Sequence, residues 1–205
     1  IIRKVDNQFY SDEWAELCVN LYCSGFLKHE YGYFPQCMSR YFFRNPDKLL
    51  EKIRGDDALY FEFQWHYRLP SEAFFDIGQL LHWTDVMINA SDSDADKVTL
   101  VGSILGKAPD GDDGIFPIET VRKLLKIKKN EELTTAVARG KINSLGLRDV
   151  EDGKKEREKS DIYKMQARAM EIDYPQTSVI LRILANFYER ESKRDQISSE
   201  IEPLQ

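Results

Sequence analysis

The residues of this 205-residue chain that could do chemistry fall into a few clusters. Asp92, Asp94 and Asp96 have the alternating spacing that opens a calcium-binding loop. Such a loop needs a glycine at its sixth position for the sharp turn and a bidentate glutamate at its twelfth. Those positions hold Lys97 and Ser103, so the charge is present without the turn or the closing ligand. Asp110, Asp112 and Asp113 fit that loop no better and read as a solvated acidic loop.

Cys18, Cys23, His29 and Cys37 offer four zinc-ligand types. Structural zinc sites use two close pairs, and residues five apart on one helix point about 140° from each other. Buried thiols on an apolar face are the better reading. The cysteines are odd in number and form no CxxC pair, which fits reduced thiols rather than a disulfide framework. A cysteine nucleophile would need a histidine beside it in space. His29, His66 and His82 each stand singly among aromatic residues. We assign no catalytic residue, no metal ligand and no cofactor from these patterns.

Arg122, Lys123, Lys126, Lys128 and Lys129 interrupt apolar Val121, Leu124, Leu125 and Ile127. The pattern predicts an amphipathic helix with a solvated cationic face, and a phosphate-contacting surface over 121–129 is the alternative. The net charge of -6 argues against the whole surface attracting nucleic acid. Asn143, Arg148, Glu156 and Arg157 are placed to clamp the loop between Gly140 and Lys154 onto neighbouring helices. Tyr31, Tyr33, Phe34, Trp65 and Tyr67 are the aromatic residues we expect in a partner-binding patch.

The elements that must position these groups are helices. Ile162, Met165, Ala169 and Ile172, then Ile180, Ile183, Leu184, Phe187 and Tyr188, recur at amphipathic helical spacing on either side of Asp173-Tyr174-Pro175. Pro175 suits a first helical turn and biases Tyr174 away from helical geometry, so an αα-hairpin is predicted. Ser11-Asp12-Glu13 opens a helix carrying Trp14, Leu17, Cys18 and Leu21, and Asn45-Pro46-Asp47 ends one short helix and starts another. From Ala58 to Leu69, apolar residues alternate with mostly polar ones in the manner of a strand. A single strand has nothing to pair with, so we expect helix there, with one strand over 58–69 as the alternative. The fold expected is all-α, an irregular helical array or α-solenoid ending in the hairpin, with no fixed repeat period. The turn-rich loop 108–114 divides it into a helical array over 1–108 and a C-terminal helical region over 109–205.

No apolar run approaches the roughly 20 residues a membrane span needs, and the N-terminus has no signal-peptide core, so a cytoplasmic protein is expected. A chain opening on Ile1 within polar sequence leads us to expect a piece of a longer polypeptide. The function expected is a non-catalytic helical interaction, scaffold or sensor module. Its partner is another protein or another domain of the same polypeptide. A small enzyme with an unrecognised site and a nucleic-acid-binding module are the alternatives.

Asp113-Gly114-Ile115-Phe116-Pro117-Ile118-Glu119-Thr120-Val121-Arg122, Asn143-Ser144-Leu145-Gly146-Leu147-Arg148, Asp152-Gly153-Lys154-Lys155-Glu156-Arg157 and Tyr174-Pro175-Gln176-Thr177-Ser178 carry a resemblance. So do Leu181-Arg182-Ile183-Leu184-Ala185 and Tyr188-Glu189-Arg190-Glu191. Together they resemble the C-terminal helical region of very large bacterial proteins, some similar to signal-transducing ATPases of anti-phage defence. Members often have Gly-Gly before the Glu-Arg pair, where this chain has Asp152-Gly153-Lys154-Lys155. The resemblance implies a position at the tail of a larger assembly and carries over no catalytic residue.

Overall fold

The computed structural model describes residues 11–24, 34–54, 56–89, 94–146 and 153–201, with side chains left out of account at 94–96 and 198–201. Ten α-helices and no strand are found among them: α1 (Asp12–Cys23), α2 (Gln36–Arg44), α3 (Pro46–Ile53), α4 (Asp57–His66), α5 (Ile77–Asn89), α6 (Asp94–Leu105), α7 (Glu119–Lys128), α8 (Glu131–Asn143), α9 (Lys154–Met170) and α10 (Pro175–Ile201). A 3-10 turn at Ser71–Phe74 precedes α5. The all-α architecture agrees with the helical periodicity. The chain forms two compact units, residues 1–104 and 105–205.

In the first unit, Ser11 caps α1 by accepting a hydrogen bond from the Trp14 amide at 3.2 Å. Pro46 sits in the first turn of α3, where its missing N–H costs nothing. The alternating segment resolves as helix α4 through His66, followed by extended backbone from Tyr67. Asp56 supplies the start, its carboxylate accepting from the Leu59 amide at 2.9 Å. Within the alternation, Leu59, Phe63 and Tyr67 are buried whereas Phe61 and Trp65 are exposed. The buried set therefore repeats every four residues, which is a helical rather than a strand period.

These residues build an aromatic core. The Phe63 ring meets Phe34, Phe42 and Tyr22 at centroid distances of 5.4, 5.3 and 6.1 Å. Tyr67 stacks on Trp83 at 6.4 Å and donates its hydroxyl to the Ser39 carbonyl at 3.2 Å. Edge-to-face and offset aromatic pairs of this kind add to their area burial. Cys18 and Cys37 are buried and Cys23 half-buried, and none of the three is in a disulfide.

In the second unit, α10 packs against α7, α8 and α9. α7 ends at Lys129 in left-handed geometry, and Asn130 caps α8 by accepting from the Leu133 amide at 2.9 Å. Buried Ile180, Leu181, Leu184 and Tyr188 of α10 and Leu133 and Val137 of α8 supply the apolar core. The entry to the unit is tight. A side chain on Gly106 would lie only 2.6–2.7 Å from the backbone of Gly140 and Lys141.

Candidate functional site

The second unit presents its most distinctive surface because of how α9 meets α10. Ser160 Oγ donates to the Ala185 carbonyl at 2.9 Å, and Ser178 Oγ donates to the Ala167 carbonyl at 2.8 Å. Gly153, with a φ of 74°, caps α9 against Ser192, whose carbonyl oxygen occupies the space a Cβ would need. The facing positions Gly153, Ser160 and Ala167 on one strand of the hairpin and Ser192, Ala185 and Ser178 on the other are each spaced by seven residues. Small side chains at that spacing let two antiparallel backbones come close, and the hydroxyls then reach carbonyls across the seam. Beside the seam, Tyr163 stacks on Tyr188 at 5.6 Å, and Lys164 pairs with Glu189 at 2.9 Å. Burial, followed by the nearby Tyr188 and Asp110, pushes the Tyr163 hydroxyl up to about 12.

This seam corrects the expected orientation of α9. Ile162, Met165, Ala169 and Ile172 were predicted as its packing face, yet all four are exposed, Met165 at 64% and Ile172 at 90%. Glu156, Ser160 and Ala167 are buried instead. At 100° per residue, Ile162, Met165 and Ala169 lie about 140–180° around the axis from the small-residue seam. The apolar stripe thus faces away from α10. Its 162, 165, 169, 172 spacing is the narrow a/d seam of a coiled coil. One heptad earlier the same positions hold Lys155 and Glu158, so the stripe is confined to the C-terminal half of α9 and the residues just beyond it.

The loop before α7 is pinned rather than freely solvated. Arg122 is buried, and its guanidinium donates twice to the Asp113 carboxylate, at 2.6 Å each. It also donates to the carbonyls of Pro117 and Ile115, both at 2.5 Å. The bidentate guanidinium draws the Asp113 carboxyl down to about 2. Lys141 pairs with Asp110 at 3.4 Å and lies 4.2 Å from the Phe116 ring centroid, while Gln166 of α9 donates to the Gly114 carbonyl at 3.2 Å. Asp113, Phe116 and Arg122 thereby fasten this loop to α7 and α8.

Two expected sites change accordingly. The cationic face over 121–129 loses Arg122 to the interior, Lys123 pairs with Glu119 at 3.0 Å, and Lys126 sits 5.4 Å from the Tyr174 ring centroid. Lys128 is half-buried, and Lys129 is exposed. Of the aromatic patch, Tyr67 is fully buried because it continues the four-residue period of Leu59 and Phe63, and Phe34, just before α2, packs on Tyr22, Phe63 and Tyr67. Trp65 is 53% exposed, and Tyr31 and Tyr33 lie outside the described residues.

The polar clamp was expected on the loop between Gly140 and Lys154, of which 147–152 lie outside the described residues. Asn143 is exposed at the end of α8, Glu156 is buried, and exposed Arg157 donates to Gln196 at 3.3 Å. Arg148 lies outside the described residues. His82 is exposed and His66 half-buried, and among the described residues no group of three or more His, Cys, Asp or Glu could hold a metal ion. No described helix is long and apolar enough to cross a membrane. Comparison with protein-family models, curated proteins and solved structures gives no match.

Proposed function

We propose that the chain is a non-catalytic helical interaction module acting in the cytoplasm, and that the outer face of α9 is its docking surface. The observation that carries this reading is the exposed stripe Ile162, Met165, Ala169 and Ile172 on the face opposite the α10 seam. Three large apolar side chains at coiled-coil spacing gain most from an α-helix that offers a matching apolar seam. The occupant is an amphipathic helix of a protein partner, with Asp161 and Arg168 beside the stripe to pair with its charged flanks. The stripe spans about 15 Å, which matches some three turns of such a helix. The resemblance to the tails of large bacterial defence proteins is compatible with a partner that belongs to the same machinery.

The test is parallel affinity capture from source cells, with the natural chain and an Ile162→Gln, Met165→Gln, Ile172→Gln variant as baits. The reading predicts a stoichiometric protein retained by the natural chain and lost by the variant. Identical retention by both baits overturns it. Sedimentation that shows stripe-dependent self-association instead makes a second copy the occupant and overturns the choice of partner.

A further inference from the structure

The first unit contains a pocket of about 240 Å³ between the start of α2, the end of α4 and the 3-10 turn. Its charge balance is unusual for so small a space. Among the described residues that line it, Arg40 and Arg68 face one carboxylate, that of Glu72, while His66 lies 3.8 Å from the carboxylate of Glu62. Glu72 is engaged by Arg40 through Nε at 3.0 Å. Among the described residues Arg68 has no carboxylate partner; its guanidinium donates to the backbone carbonyls of Trp65 at 3.0 Å and Tyr67 at 3.3 Å. Both bonds come from Nη1, so they hold one edge of the guanidinium while the exposed side chain keeps its other nitrogens available to a ligand. Partial burial lowers the Arg68 pKa, the direction expected when a cation loses water without gaining an anion.

The rest of the wall sets apolar Phe34, Leu69 and Pro70 beside polar Gln36, Ser39 and Ser71, and Pro35 gives the α2 start no side-chain acceptor. A planar fork held in place beside a second guanidinium matches the geometry of an oxyanion. We propose that this pocket binds a small oxyanion, a carboxylate or phosphate group, between Arg68 and Arg40, with the ring of Phe34 against the rest of the ligand. Glu72 pairs with Arg40 and competes with the ligand for it. This site is independent of the α9 face and does not rest on that reading.

The experiment is an amide and guanidinium NMR titration of the whole chain at constant ionic strength, with inorganic phosphate and acetate as separate probes. The expected result is saturable shifts at Arg68, Gln36 and Ser71 with at least one probe, at a dissociation constant of about 1 mM. The tighter probe identifies phosphate or carboxylate as the group recognised. Arg68→Gln is expected to weaken binding about tenfold. Glu72→Gln is expected to tighten it several-fold by releasing Arg40, a gain that a merely structural pair would not produce. The natural chain showing no saturable shift at these residues with either probe overturns the proposal, as does Glu72→Gln leaving the affinity unchanged or weaker.

Discussion

The hydroxyl of Ser160 donates to the carbonyl of Ala185, and seven residues further along each helix Ser178 returns the same bond to Ala167. This reciprocal pairing sets the face of α9 that meets α10. The Ser160 position is 1% exposed and Ala185 likewise, so neither has room for a larger side chain. With its small residues spent on the seam, α9 carries its large apolar residues outward.

Size at the seam is therefore expected to matter more than the hydrogen bond. Ser160→Ala removes one bond to a carbonyl that keeps its helical partner and should cost about 1 kcal/mol. Ser160→Leu forces the helices apart and should cost about 3 kcal/mol, at the upper end for overpacking. Urea unfolding of the two variants measures the difference.

The Asp113–Arg122 pair predicts a pH dependence. The Arg122 guanidinium holds the folded carboxyl down to about 2, below its ordinary 3.8, so the pair stabilises the fold above the unfolded value and that contribution is lost as pH falls from about 4 towards 2. Asp113 is 46% exposed, so solvent screening limits the contribution to about 1 kcal/mol at neutral pH. Asp113→Asn should be less stable than the natural chain at pH 7 and nearly equal to it at pH 2, measured by urea unfolding across that range. Arg122→Leu deprives Asp113 and two carbonyls of their donor at once, and a loss of about 3 kcal/mol is expected.

Gly106 tests the chain entry to the second unit. Gly106→Ala places a methyl against the backbone of Gly140, with no flexible side chain to yield. Thermal unfolding should show a loss of about 2 kcal/mol.

Much of the fold was legible in the sequence, for local reasons. Ser11, Pro46 and Pro175 mark helix starts through caps and a fixed φ, and each stands at or next to one. The ambiguity at 58–69 was also resolvable, because burial at Leu59, Phe63 and Tyr67 has a four-residue period that a two-letter alternation hides. The orientation of α9 was not legible. Periodicity marks an apolar stripe but not what covers it, and the true seam is written in Gly153, Ser160 and Ala167, which carry little hydrophobic signal. Arg122 was misread for a related reason: its neighbours Lys123 and Lys126 are on the surface, and its buried partner Asp113 lies across a turn that spacing alone does not bring close.

Thr84 offers a stabilising change. Its hydroxyl is fully buried, and no hydrogen-bond partner for it is found among the described residues. Thr84→Val keeps the shape and removes the uncompensated polar atom, so unfolding should require about 1 kcal/mol more.

The central claim is that the apolar stripe of α9 is free surface rather than core, and urea unfolding of the combined Ile162→Gln, Met165→Gln, Ile172→Gln variant tests it most directly. Glutamine keeps helix propensity, so a solvent-facing stripe predicts a change below about 1 kcal/mol. A loss of about 5 kcal/mol or more, the scale of several truncated core side chains, would contradict it and return the stripe to the interior of the fold.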